Sequence, residues 1–91
     1  MAFILTRINV GNYEAWKPMF DQDAPGVRKS AKGYRIFRSV ADPGEVFILV
    51  EFASSDDAKA ARERLLASGV LDRFPDKALP TVIEQAEAVG Y

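Results

Sequence analysis

The chain has neither cysteine nor histidine, and one tryptophan, Trp16, in 91 residues. Without cysteine there is no disulfide staple and no thiolate ligand set for zinc or iron–sulfur clusters. Without histidine the commonest general base and transition-metal ligand is missing too. No metal site and no cofactor is therefore expected. Long apolar runs are lacking at the amino terminus, where Phe3 to Leu5 is broken by Thr6 and Arg7. That run is too short for a signal-peptide core or a membrane span, so a cytoplasmic protein with no membrane partner is expected. Charge of one sign is lacking as well: 12 basic against 13 acidic residues leave a net charge of -1. Nucleic-acid binding draws on a concentrated basic footprint, and the densest cluster here is Arg28-Lys29-Ser30-Ala31-Lys32, which reads as the solvated end of a helix. No nucleic-acid partner is expected. Repeats, linkers and low-complexity tracts are also wanting, which leaves one domain over residues 1–91.

What is present is a high apolar content, 48% of residues, in a small chain. A domain of this size buries only about 60 to 65% of the surface exposed when unfolded, and such cores are often supplemented by a metal, disulfides or a partner subunit. With the first two set aside, the natural supplement is a second copy.

Period-two alternation marks a strand over residues 2–10, with Ala2, Ile4, Thr6, Ile8 and Val10 on one side and Phe3, Leu5, Arg7 and Asn9 on the other. Gly11 ends it. Asn12 suits the N-cap of a helix whose stripe is Tyr13, Trp16, Met19 and Phe20. Pro18 predicts a kink in that helix and Asp23 to Gly26 a break, after which Val27 to Ala31 completes one or two more turns up to Gly33. Tyr34 to Val40 and Glu45 to Phe52 read as a hairpin about Asp42-Pro43-Gly44, where proline presets one turn dihedral and glycine accepts a positive one. The second of these strands is apolar on both faces, Val46, Ile48, Val50 and Phe52 against Phe47 and Leu49, so both must be covered.

Ser54 to Asp57 has capping-box spacing and opens a second helix. Its buried stripe is Ala58, Ala61 and Leu65, its wet face Lys59, Arg62 and Glu63, and its stop Gly69 with Val70 against Leu65. Val70 to Phe74 adds a further turn. After Pro80, Thr81 to Val89 reads as a closing strand.

The order βαββαβ is the ferredoxin-like unit, an α+β fold with an antiparallel sheet in order 4-1-3-2 and both helices on one face. The densest apolar runs fall on the two central strands. The edges carry Arg35, Arg38 and Ser39 on one side and Glu84, Gln85 and Glu87 on the other, as edges that resist further pairing do. The sheet face without helices is left bare, with Phe3, Leu5 and one row of the third strand exposing roughly a few hundred Å² of apolar surface or more. A homodimer formed sheet to sheet would cover it. The alternative is a monomer in which Val70 to Pro80 wraps under the sheet.

Three stretches carry a family resemblance: Asn12 to Phe20 (NYEAWKPMF), Arg38 to Phe52 (RSVADPGEVFILVEF) and Ser54 to Leu65 (SSDDAKAARERL). With the element order, they resemble the dimeric α+β barrel superfamily, near its antibiotic biosynthesis monooxygenase and stress-responsive barrel groups. The resemblance implies fold more than chemistry, since the same fold hosts enzymes, transport proteins and binding proteins. Its haem-degrading members ligate iron with a histidine and use a tryptophan from the second helix region. This chain has no such histidine, and its tryptophan lies in the first helix. The resemblance further implies an asparagine on the first strand that holds substrate oxygen in cofactor-free oxygenases, a position that Asn9 could match.

The site implied is a cleft between helices and sheet, with Arg7, Asn9, Tyr13, Trp16, Tyr34, Arg38 and Phe74 as candidate ligand-binding residues. No catalytic residue is assigned. Each candidate also has a structural role available: Trp16 as core, Arg7 and Arg38 as partners of Glu51, Glu84 or Glu87, and Asn9 as a turn residue. Asp21 and Asp23 are either a base or a solvated helix end. Two functions follow, a small homodimer that binds an apolar or aromatic molecule, acting as a cofactor-independent monooxygenase-like enzyme, or a non-enzymatic dimeric binding or interaction module.

Overall fold

The computed structural model describes residues 1–23 and 26–91. In chain order it contains β1 (Ala2–Asn9), α1 (Tyr13–Gln22), β2 (Gly33–Arg38), β3 (Glu45–Phe52), α2 (Ser55–Ser68), a short 3-10 helix (Val70–Arg73) and β4 (Lys77–Glu84). The strands form one antiparallel sheet in the order β2-β3-β1-β4, the expected order taken from the other edge.

The β1–β3 register aligns Ile4 with Val50 and Ile8 with Val46, and, one residue out of phase, Leu5 with Leu49 and Arg7 with Phe47. Because side chains alternate across a strand, this splits the sheet into two faces. Ala2, Ile4, Thr6, Ile8, Val46, Ile48, Val50 and Phe52 are buried under the helices. Full burial of Phe52, Ile4 and Ile8 contributes roughly 1.5–3 kcal/mol each. The opposite face carries Phe3, Leu5, Phe37, Phe47, Leu49 and Ile83, with Phe37 51% exposed. The row of β3 left without helices is thus Phe47 and Leu49.

Both helices begin at the expected caps. The Asn12 side chain accepts from the Ala15 amide at 3.1 Å, and the Ser54 hydroxyl accepts from the Asp57 amide at 3.1 Å. Gly69, at φ 71°, ends α2. There the Gly69 amide donates to the Leu66 carbonyl at 3.3 Å, and the Ser68 hydroxyl donates to the Leu65 carbonyl and accepts from the Val70 amide, so backbone and side chain share the bonds of the stop. The predicted extra turn after Gly69 is the 3-10 helix.

Helix α1 continues through Pro18; the carbonyl that proline leaves free belongs to exposed Glu14, where water can bond it. Three local expectations are corrected. The second helical piece over Val27 to Ala31 is absent, and residues 27–30 form turns. The Asp23 carboxylate accepts from the amides of Val27 (3.1 Å) and Arg28 (2.9 Å), donors that a helix would direct to backbone carbonyls. The break read over Asp23 to Gly26 includes Ala24 and Pro25, which lie outside the described residues. Gly44 has no positive φ. A Cβ there would lie 2.8 Å from the Gly11 carbonyl oxygen, so glycine serves the close approach of the β2–β3 turn to the β1–α1 loop. Finally, β4 starts at Lys77 and ends at Glu84, and Pro80 lies inside it. The β1–β4 register shifts there, and a bulge on an edge strand tolerates a residue that cannot donate.

Arg62 is not on the wet face of α2; its Nε donates to the Pro80 carbonyl at 2.7 Å and ties the helix to that bulge. Among the described residues no helix is long and apolar enough to cross a membrane.

Candidate functional site

The stripe on α1 consists of large rings. Trp16 is buried, 5.8 Å from the Tyr13 ring and 5.0 Å from Phe20, and Phe20 meets Tyr34 of β2 edge to face at 5.1 Å. These rings stand between α1 and the sheet, whereas α2 meets the sheet through the alanines Ala58 and Ala61. Beneath α1 this difference leaves a cleft of about 190 Å³. Its floor is Ile4, Thr6, Ile8, Ile48 and Val50, its roof Trp16, Met19 and Phe20, and its far wall Leu65, Val70, Leu71 and Phe74. Polar groups are few: Thr6 in the floor, and Gln22, Asp23, Arg28 and Arg73 among the remaining lining residues.

Thr6 is buried and lies in the cleft floor, and among the described residues no buried side-chain nitrogen or oxygen lacks a hydrogen-bond partner, so its hydroxyl is not a stranded polar group. Arg28 is held on every side. Its guanidinium lies 3.8 Å from the centre of the Phe20 ring and 5.5 Å from that of Tyr34. It donates to the Phe20 carbonyl and comes within 3.8 Å of the Asp23 carboxylate.

Of the seven sequence candidates, Trp16 and Phe74 line the cleft. Tyr13, Tyr34 and Arg38 lie on the helix-covered side but continue the ring layer beside the cleft: the Arg38 guanidinium sits 4.5 Å from the Tyr13 ring, and its Nε donates to the Pro43 carbonyl at 3.2 Å. Arg7 and Asn9 are on the other face of the sheet, a correction imposed by strand parity. The Arg7 guanidinium donates to Glu45 and Asp76, each at 2.7 Å. Those hydrogen bonds, to Asp76 and then Glu45, raise its pKa further, and the bond from Arg7 holds the Asp76 carboxyl below its ordinary value. Its partners are thus acids other than Glu51, Glu84 or Glu87. The Asn9 amide donates to Asp42 at 3.0 Å and its oxygen accepts from the Gly11 amide at 3.0 Å, a loop-fastening role. Asp21 pairs with Lys17 at 2.6 Å, raising the lysine pKa, and Asp23 caps the turn after α1.

Sequence reasoning missed Thr6, Arg28 and Arg73. Thr6 had a signal, a hydroxyl in an otherwise apolar inward row. Arg28 and Arg73 had none, because contacts such as Arg28 on Phe20 and Arg73 near Met19 join residues far apart in the chain or across a turn.

No family model and no curated protein matches the chain. Solved structures do. A putative antibiotic biosynthesis monooxygenase from Deinococcus radiodurans superposes with a TM-score of 0.69 at 15% identity, over 100% of this chain and 98% of that one. A Mycobacterium tuberculosis protein gives 0.67 at 15% identity, over 98% of each chain. A putative antibiotic biosynthesis monooxygenase from Bordetella bronchiseptica gives 0.64 at 18%, over 97% of each. The fold is therefore the ferredoxin-like α+β fold that these proteins share.

Proposed function

We propose that the chain binds a small planar aromatic or apolar molecule in the cleft beneath α1, and does so as a homodimer joined through the helix-free faces of two sheets. The observation that carries the binding reading is the cleft itself, about 190 Å³ of mostly apolar space next to the buried Trp16. An apolar cavity of about 150 Å³ accepts benzene, so this one has room for a single ring with a short substituent.

Trp16 is the only tryptophan, so its indole N–H gives one nuclear magnetic resonance peak on the cleft roof. Titration with p-cresol is expected to move that peak saturably. A peak that stays in place up to millimolar ligand would overturn the reading. Dimerisation is motivated by the Phe3, Leu5, Phe37, Phe47, Leu49 and Ile83 face, which gathers large apolar side chains on the side of the sheet without helices. Light scattering is expected to report a dimer at micromolar concentration, and Leu49→Lys a monomer; a monomeric parent chain sinks this part.

Oxygenation of the bound ring without a cofactor is the second reading, favoured by the names of two structural neighbours and by the mostly apolar lining of the cleft. Asn9 has no part in it, because it faces away from the chamber. Oxygen uptake driven by an electron-rich phenol, kept in Asn9→Ala and lost when Val70→Trp fills the cleft, supports this reading. The absence of uptake with phenols that do bind leaves a binding module.

A further inference from the structure

The charges around the cleft are unequal in number and in how they are engaged. Three ionisable residues line it: Asp23, Arg28 and Arg73. Asp23 and Arg28 belong to each other and to the backbone. The carboxylate accepts two amides and faces the Arg28 guanidinium, which is stacked on Phe20. Neither has much capacity left for a ligand. Arg73 is different. It is exposed at the end of the 3-10 helix, and its contact within reach is Nη1 at 3.9 Å from the sulfur of Met19. A thioether is a weak acceptor, while a guanidinium presents five N–H donors in a fork that fits a carboxylate. Among the described residues Arg73 has no carboxylate partner. The cleft therefore has one uncommitted positive charge next to apolar walls.

We propose that the ligand is an aromatic monocarboxylate, its ring under Trp16 and Phe20 and against Phe74, its carboxylate on the Arg73 fork. This rests on the reading of the cleft as a binding site and names its ligand class. An ammonium ligand would meet the same uncompensated charge and be repelled. A neutral ring gains the apolar contacts alone. Charge-assisted Arg–carboxylate bonds are stronger than neutral ones, but an exposed pair is screened by salt.

The test compares 4-methylbenzoate with 4-methylbenzamide, which have nearly the same shape and differ in charge, by the Trp16 indole resonance and by calorimetry at low and high salt. The acid is expected to bind roughly tenfold tighter at low salt, equivalent to about 1.4 kcal/mol, with the gap narrowing at high salt. Arg73→Gln is expected to bring the acid to the level of the amide, and Arg73→Lys to restore part of the gap. Arg73 is exposed, so these variants are expected to fold, which near-ultraviolet circular dichroism checks. Equal affinities in the parent chain, or a gap that survives Arg73→Gln, overturn the carboxylate assignment while leaving the cleft as a site for neutral rings. If neither compound binds, the cleft reading itself fails and this inference fails with it.

Discussion

The two helices cover the same face of the same sheet by opposite means. Helix α2 presents Ala58 and Ala61, each 0% exposed, so its backbone seats directly on the strands and leaves nothing between. Helix α1 presents Tyr13, Trp16 and Phe20, whose rings hold it off the sheet, and Trp16 and Phe20 roof the cleft. The apolar floor is continuous under both; the sizes of the helix side chains decide where the layer is closed and where it opens. The cleft owes its roof to large residues on α1, while its far wall comes from Leu65 near the end of α2 and from Val70, Leu71 and Phe74 beyond it.

Overpacking tests this comparison most directly. Ala61→Leu forces a larger side chain into a seat with no space, and a loss of about 3 kcal/mol is expected, the upper end of the usual cost. Ile48→Phe adds volume on the other half of the floor, where the cleft can take it, and a loss below about 1 kcal/mol is expected. Urea unfolding of both variants measures the difference. Equal losses would mean that α1 is seated as tightly as α2.

The next effect concerns what holds α1 in place of a close seat. Arg28 stacks on Phe20 and donates to its carbonyl near the end of the helix. Arg28→Ala removes both contacts and leaves Asp23 without its nearby guanidinium, so a loss of about 2 kcal/mol is expected. Arg28→Lys is expected to recover less than half, since an ammonium lacks the planar stack. Full recovery by lysine would show charge, not stacking, to be the tie.

Much of this layout was legible in residue order. Alternation in β1 and β3 depends on a strict period of two, so it assigned Ile4 and Ile8 to one face and Phe3 and Leu5 to the other, and the sheet order followed from the number and sequence of elements. The same alternation already put Arg7 and Asn9 with Phe3 and Leu5, away from the helices. The family resemblance drew them toward the cleft, and parity was the better guide. The boundary set by Pro80 was less legible: this proline lies inside β4, because it sits at an edge bulge. Arg28 and Arg73 were not legible as cleft residues at all. Nothing local distinguishes a solvated arginine from one whose partner ring or whose missing carboxylate is determined by the fold.

A smaller effect of opposite sign comes from the floor. Thr6 places a hydroxyl in the otherwise apolar inward row, at the floor of the cleft. Thr6→Val keeps the shape and exchanges a hydroxyl that lines the cleft for a methyl, so a gain of less than about 1 kcal/mol in urea unfolding is expected, together with weaker binding of any ring that carries a hydroxyl. A loss of stability would mean that the hydroxyl is bonded, by water held in the cleft.

The smallest effect lies in the segment that belongs to neither helix. Phe74 lines the cleft, and two residues later Asp76 is fastened from β1, its carboxylate by Arg7 and its carbonyl by the Asn9 backbone N–H at 2.9 Å. The hydrogen bond and charge of Arg7 hold the folded Asp76 pKa below its ordinary 3.8. A depressed carboxyl contributes stability that is present above the unfolded value and lost as pH falls through the folded one. Arg7 stays charged throughout, so the acid side of the pair sets the window. The parent chain is therefore expected to lose part of its stability below about pH 4, and Asp76→Asn to start slightly less stable at neutral pH and to fall less steeply in acid. Both groups are well hydrated, so the change is small, and urea midpoints at neutral and acidic pH measure it. The Trp16 indole resonance refines the result: if it shifts in Asp76→Asn, the wall carrying Phe74 is set from the far face of the sheet, and if it does not, the cleft depends on the helices alone.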